Sequence, residues 1–254
     1  MTGKVTLVGS GPGDADLITV LGLRRLRQAD VIMHDVLIDL RLLDEVKDGA
    51  EIINVGMLPG NHMMPQDEIE ATIVAKAKEG KHVLRLKGGD SYVFGRGSEE
   101  VLACYDNGIP VEVVPGITSA SAALTHAGIP LTHRNAANVG EANGFLVVTG
   151  HDDPRRNSRV DYEVLAKFSG TIVILMGLRN LPNISRNLIE HGRDPDTPAA
   201  LIEWGATPKQ RVITGTVATL PHLAEEHELK VPTNIVIGEV VRLHDKLPVG
   251  IRFD

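Results

Sequence analysis

Along the first half of the chain, short β-branched runs alternate with stretches whose apolar residues recur at helical spacing. The runs Val5–Gly9, Val31–Asp35, Ile52–Gly56, Val83–Lys87 and Val111–Val114 predict strands. Between them, Gln66–Glu79 sets Ile69, Ile73, Val74 and Ala77 on one helical face, with Gly80 placed to end the helix. Ser98 is placed to cap the next helix, with Glu99 and Glu100 in the first turn, where the macrodipole favours negative charge. A break at Pro115–Gly116 precedes the small-residue segment Thr118–Ala127. Alternation then resumes, with Phe145–Thr149, Thr171–Met176, Ala199–Glu203, Arg211–Val217 and Asn234–Val241 as strands. Asp161–Phe168, Leu181–His191 and Thr219–His227 read as helices, and Asn135–Asn143 and Asp152–Arg159 as polar, mobile connectors. This order predicts an α/β protein with mostly parallel sheets, divided into an N-terminal α/β domain, 1–116, and a C-terminal one, 117–254.

The glycines fall at telling places. Gly9-Ser10-Gly11-Pro12-Gly13-Asp14, Gly88-Gly89-Asp90, Pro115-Gly116, Thr149-Gly150-His151, Met176-Gly177 and Trp204-Gly205 each follow a predicted strand. In open α/β sheets, ligands bind beyond the carboxyl ends of the strands, and glycine lets backbone come close to a ligand. Ordinary strand-to-helix turns also favour glycine. Six together point to a ligand crevice.

Charge narrows the partners. Lys plus Arg number 26 and Asp plus Glu 33, a net charge of −7. That argues against nucleic acid or an anionic membrane surface, both of which reward a basic face. A few local arginines still suit a small anionic substrate. The single cysteine, Cys104, excludes an internal disulfide and a cysteine-rich zinc module, and aromatics at 3% make base-stacking platforms unexpected. The first glycine cluster departs from a dinucleotide fingerprint, because Asp14 stands at its sixth position and Pro12 has no N–H for a phosphate. G-x-x-x-x-G-K-[ST], G-x-S-x-G and H-E-x-x-H are all absent, and His222 and His227 sit in an acidic, surface-like segment. No metal site is expected. No secretory leader is visible, and the long uncharged run Val113–Thr132 is broken by Pro115, Gly116, Gly128 and Pro130. The expectation is a soluble, cytoplasmic chain.

Taken in order, a further set of motifs runs from about Lys4 to Leu247. They are Val8-Gly9-Ser10-Gly11-Pro12-Gly13-Asp14; Arg85-Leu86-Lys87-Gly88-Gly89-Asp90 with Phe94-Gly95-Arg96-Gly97-Ser98-Glu99-Glu100; and Val113-Val114-Pro115-Gly116-Ile117-Thr118-Ser119-Ala120. Gly128-Ile129-Pro130-Leu131-Thr132-His133-Arg134, Thr149-Gly150-His151, Met176-Gly177-Leu178 and Gly238-Glu239-Val240-Val241 before Asp245-Lys246-Leu247 complete it. The set resembles the uroporphyrinogen-III C-methyltransferases of the tetrapyrrole methylase family. The resemblance implies two α/β domains, usually in a homodimer, with S-adenosylmethionine in a cleft between them. It implies methylation of uroporphyrinogen III at carbons 2 and 7 to give precorrin-2, on the way to sirohaem, cobalamin or haem d1. By motif position it assigns cofactor contacts to Pro12, Gly88, Gly89, Asp90, Val93, Thr118, Ser119, Met176 and Gly205. Asp35 matches the family's proton-accepting Asp, while Arg96, Glu99 and Arg134 match residues given to substrate binding or proton handling.

The chemistry suits these residue types. A sulfonium methyl is already electrophilic, so the protein's task is to hold it in line with a pyrrole carbon, and positioning can supply ~7–11 kcal/mol of a barrier. A substrate with eight carboxylates calls for arginines able to bind bidentately. A general base helps the alkylated ring lose its proton. Plainer roles stand beside these: Asp35 as a turn cap, Arg96 and Glu99 as a surface ion pair, Met176 as core. The chain departs from the family pattern at Met57, where a lysine is common, at His34 in place of a tyrosine, and at Ser91-Tyr92 after Asp90. Those departures leave two alternatives: a methylase acting on another electron-rich acceptor, or a catalytically weak cofactor- or tetrapyrrole-binding protein.

Overall fold

A computed structural model describes residues 2–56, 64–134, 142–150 and 160–247. Met57, His151 and most of the two connectors lie outside the described residues. The chain divides into two compact units, Met1–Thr118 and Ser119–Asp254.

In the first unit, β1 (Lys4–Gly9), β2 (Val31–His34), β3 (Glu51–Asn54), β4 (His82–Lys87) and β5 (Val111–Val114) form one sheet in the order β3-β2-β4-β1-β5. Every pairing is parallel. Strand alternation sorts the core onto two faces. Val5, Leu7, Val31, Met33 and Val83 pack with Ile69 and Ile73 of α2 (Gln66–Lys78) and Cys104 of α3 (Gly97–Asp106). Val8, Ile32, Leu84, Leu86 and Val114 pack with Leu26 of α1 (Val20–Leu26) and with Leu42. Thr19 caps α1, its Oγ1 accepting from the Gly22 N–H at 3.1 Å.

From β1 the chain passes to α1 on one face, and from β4 to α3 on the other. Because β1 and β4 are neighbours and their connections leave to opposite faces, the order of the sheet reverses between them, the kind of switch point beyond which open α/β sheets bind ligands.

Ser98 does not cap α3. Arg96, in the left-handed region at φ 57°, is the cap residue, and its carbonyl accepts from the Glu99 and Glu100 N–H groups. The Gly97 N–H donates to the Ser91 carbonyl, so the helix begins earlier and Ser98 is already inside it.

The second unit holds β6 (Phe145–Thr149), β7 (Thr171–Leu175), β8 (Pro198–Glu203), β9 (Arg211–Thr216) and β10 (Thr233–Ile237), ordered β6-β7-β10-β8-β9. The parallel expectation fails for most of this sheet. Only β6–β7 is parallel; β7–β10, β10–β8 and β8–β9 are antiparallel. The connector 204–210 between β8 and β9 is shorter than the dozen or so residues a parallel crossover needs. Its tight turn is closed by the Thr207 hydroxyl donating to the Trp204 carbonyl at 2.7 Å. Strand β10 ends at Ile237 rather than running to Val241, because Gly238 at φ +145° turns the chain into a short 3-10 helix, Glu239–Leu243. Ile172, Ile174, Leu201 and Ile235 form the core with Leu165 of α5 (Tyr162–Lys167), Leu181, Ile184 and Leu188 of α6 (Leu181–Glu190) and Leu220 of α7 (Leu220–Glu226). The small-residue segment proves helical: α4 (Ser119–His126) buries Ala120, Ala122, Ala123 and Leu124.

Candidate active site

The centre of the first unit is a strand that buries its charges. Alternation along β4 sends Leu84 and Leu86 to one face and Val83, Arg85 and Lys87 toward α3. Two buried cations demand compensation, and Glu100 of α3 provides part of it. Its Oε1 accepts from Arg85 Nε at 3.1 Å and from Lys87 Nζ at 2.9 Å. Arg85 Nη1 donates to the carbonyls of Met33 and Leu86, each at 3.2 Å, and Nη2 donates to Asp35 Oδ1. Asp35 Oδ2 accepts from the Gly88 N–H at 3.3 Å. The side chains of Arg85, Lys87 and Glu100 are 3%, 4% and 0% exposed, whereas that of Asp35 is 30% exposed. Asp35 is therefore the one member of the cluster with an open face. Burial pulls the Arg85 guanidinium down, but the carboxylates of Asp35 and Glu100 outweigh it and hold its pKa raised. Beside them, burial first and Glu100 second push the Cys104 thiol up to about 11, marking it as an inert core residue. Buried His34 fixes the approach to the cluster, its Nδ1 lying 2.8 Å from the Asp35 carbonyl oxygen.

The glycine loops after β1 and β4 are stitched together. The Gly11 N–H donates to the Gly89 carbonyl at 3.2 Å and the Gly89 N–H to the Gly11 carbonyl at 2.7 Å. Gly89 takes φ +67°, and a Cβ there would meet nothing nearer than Thr118 Cα at 3.9 Å, so the space above it is open. Asp90 locks the loop from below: Oδ1 accepts from the Tyr92 N–H at 2.8 Å and Oδ2 from the Gly116 N–H at 2.9 Å. Pro12 and Val93 are half-buried on the loops after β1 and β4, and Thr118 is half-buried after β5.

Further on, Phe94 and Arg96 both adopt left-handed backbone, at φ 53° and 57°. Non-glycine residues held there cost ~1–3 kcal/mol and cluster at functional sites. Arg96 and Glu99 form a bidentate pair, Nε–Oε1 2.9 Å and Nη2–Oε2 2.5 Å, with both side chains more than two-fifths exposed. Hydrogen bonding to Glu99 raises the Arg96 pKa. Thus the plainer alternative for these two, an ion pair at the surface, is what the structure contains. An exposed pair of this kind is worth little to stability by itself.

In the second unit, Met176 follows β7 in left-handed backbone, φ 57°, and is half-exposed rather than core. Trp204 does the same after β8 at φ 49°, with Lys209 Nζ 5.6 Å from its ring centroid. Gly205 has a packing reason as well, since a Cβ there would overlap the Ala123 Cβ at 2.2 Å. Ser119 opens α4, and its carbonyl accepts from Asn234 Nδ2 at 2.9 Å. Arg134 is exposed. Among the described residues, no group of acidic, histidine or cysteine side chains is placed to hold a metal.

Sequence reasoning placed Asp35, Asp90 and the glycines but gave no role to Arg85, Lys87 or to Glu100 beyond the helix dipole. The available signal was two cations alternating with leucines in a strand otherwise fit for burial on both faces.

The family model for tetrapyrrole (corrin/porphyrin) methylases matches residues 4–221. A protein of Methanosarcina barkeri named S-adenosyl-L-methionine-dependent uroporphyrinogen III methyltransferase is 51% identical over 246 residues, covering 96% of this chain and 94% of that protein. A sirohaem synthase of Nitrosomonas europaea is 47% identical over 97% of this chain, which spans only 50% of that longer protein. The crystal structure of a uroporphyrin-III C-methyltransferase from Thermus thermophilus, complexed with S-adenosylhomocysteine, superposes with a TM-score of 0.79 at 37% identity, covering 95% of this chain and 94% of that one. The chain belongs to the tetrapyrrole methylase family.

Proposed function

We propose that this chain is an enzyme that transfers methyl groups from S-adenosylmethionine to uroporphyrinogen III, at carbons 2 and 7, giving precorrin-2. The observation that carries the proposal is near-full-length similarity to a protein named for that activity. The site described above is consistent with it.

The residues fit the cofactor. Open space over Gly89 and the bare backbone of the stitched loops suit a ligand with hydroxyls and an amine, and Asp90 keeps lone pairs beyond its two backbone bonds. Pro12 has no N–H to offer, in keeping with a ligand that carries no phosphate. Pro12, Gly88, Gly89, Asp90, Val93 and Thr118 would hold it, and the resemblance also assigns cofactor contacts to Ser119, Met176 and Gly205. Bound S-adenosylmethionine supplies an electrophilic methyl group. The chain's own residues orient the acceptor and manage its proton. Arg96 and Arg134 bind propionate and acetate carboxylates, Arg96 by exchanging Glu99 for substrate. Asp35, the one partly open carboxylate of the cluster, accepts the proton that the alkylated ring gives up, and Glu99 in the first turn of α3, once released from Arg96, is a second acceptor.

No helix among the described residues is long and apolar enough to cross a membrane. A cytoplasmic homodimer belongs to the same proposal, and light scattering of the purified protein tests its dimeric part. The function is tested by offering methyl-labelled S-adenosylmethionine with uroporphyrinogen III or with its oxidised porphyrin. Label in the reduced macrocycle alone supports the proposal. Cofactor binding with no labelled tetrapyrrole would favour a carrier.

A further inference from the structure

The buried cluster contains more charge than packing needs. Breaking a buried ion pair is costly, yet replacing one outright by apolar side chains is often neutral or stabilising, so such a cluster is weak evidence for stability alone. Its layout is directional. Lys87 and Glu100 are fully enclosed, Arg85 follows, and only Asp35 opens outward. Arg85 has no freedom to serve a substrate: Nε is held by Glu100, Nη1 by two backbone carbonyls, and Nη2 by Asp35. The planar guanidinium is fixed at every edge before it meets Asp35, and a fixed fork directs a carboxylate as a flexible ammonium cannot.

We infer that Arg85, braced by Glu100, is a positioning residue that aims the Asp35 carboxylate, and that the Asp35–Gly88 bond ties this aim to the glycine loop. The inference rests on the proposed proton-accepting role of Asp35. Asp35 Oδ1 is held by Arg85, and Oδ2, bonded only at 3.3 Å to Gly88, is the oxygen that keeps capacity for a proton. Bracing matters because catalysis is sensitive to small displacements of a reacting group. Glu100 Oε2, buried without a hydrogen-bond partner among the described residues, leaves Glu100 attached through one oxygen to both cations, so its charge rather than its full hydrogen-bonding capacity sets where Arg85 sits.

A double-mutant cycle tests this, using Arg85→Lys, Asp35→Asn and the combination, with turnover of uroporphyrinogen III and calorimetric affinity for S-adenosylhomocysteine as readouts. Asp35→Asn should lower kcat by about 100-fold or more, in the range of lost general-base catalysis. Arg85→Lys should lower kcat at least ~10-fold with KM nearly unchanged, and should cost less than ~2-fold further in the Asp35→Asn background. A merely structural Arg85 would give independent losses that multiply, which would overturn the inference while leaving the Asp35 role intact. Unchanged kcat in Asp35→Asn would instead overturn the Asp35 role, and the inference with it. Should Arg85→Lys fail to fold, Glu100→Gln replaces it in the cycle: it keeps an acceptor for Arg85 and Lys87 but removes the bracing charge. A several-fold kcat loss that disappears beside Asp35→Asn supports the inference. No loss, or one that multiplies, refutes it.

Discussion

Asp90 holds its loop and is proposed to hold the cofactor as well, and a single substitution tests both. Its oxygens accept from the Tyr92 and Gly116 N–H groups, so Asp90→Ala strips acceptors from the loop as well as from a ligand. At ~1–3 kcal/mol for a donor left unsatisfied, we expect a lower Tm together with at least ~10-fold weaker binding of S-adenosylhomocysteine. Asp90→Asn, retaining one acceptor oxygen, should recover part of both by calorimetry. Equal cofactor affinity in a folded Asp90→Ala would remove Asp90 from the site. Arg96 presents the complementary case. Since its partner Glu99 is exposed, Arg96→Ala should raise the KM for the tetrapyrrole or abolish turnover while cofactor affinity stays within about 2-fold, and Arg96→Lys should rescue only partly. His82 bears on stability rather than activity. It is buried against the Thr6 hydroxyl, and burial first, then the charge of Lys4, lowers its pKa below the ordinary 6.5. The unfolded chain therefore takes up a proton at higher pH than the fold does. Stability from neutral His82 is full above 6.5 and declines as pH falls toward the folded value. A His82→Gln variant should lose less Tm than wild type between about pH 7 and pH 5, and parallel Tm curves would refute this. At this scale the exposed candidates were legible in the motifs. The buried Arg85 was not, because a strand pattern does not say which helix residue will lie over it.

Elements owe their legibility to what their side chains do. All ten strands of the described residues overlap runs that the sequence reads as strands, most of them β-branched, because burial on a pleated sheet asks for those residues. Their ends were less so: β10 was expected to run to Val241 and stops at Gly238. Helix α4 lacked a stripe of large periodic residues, as it packs three alanines and a single leucine, Leu124. The start of α3 was misplaced because a left-handed arginine, not a serine side chain, turns the chain there. Strand direction in the second sheet could not be seen, since alternation within a strand is the same in parallel and antiparallel neighbours. The loop elements meet in a contact with almost no slack. A Cβ on Gly116 would stand 2.2 Å from the Gly89 carbonyl oxygen and 2.6 Å from Gly9 Cα. Both obstacles are backbone, so Gly116→Ala must spread the β1, β4 and β5 loops. We expect a loss of about 1–3 kcal/mol in chemical denaturation and weaker binding of S-adenosylhomocysteine. A variant of wild-type stability that binds normally would show that the loops are not packed this way.

The whole molecule combines a net charge of −7 with exposed arginines at the positions proposed to meet a polyanion. Global charge therefore says little about substrate here, while local placement says a good deal. The chain matches nearly all of the Methanosarcina barkeri relative but about half of the sirohaem synthase from Nitrosomonas europaea, so the activity proposed for it is the methyl transfer alone. Neither Met57 nor the segment around His151 is among the described residues. The proposed activity is defined by a stoichiometry: the chain, with no second protein, methylates the same macrocycle twice. The most direct test is to supply limiting uroporphyrinogen III and excess S-adenosylmethionine without oxygen, then count S-adenosylhomocysteine formed and methyl groups gained per tetrapyrrole by mass spectrometry. Two of each per macrocycle, with the label on carbons 2 and 7, is the predicted result. No methyl transfer to uroporphyrinogen III by a folded protein that binds the cofactor would contradict it.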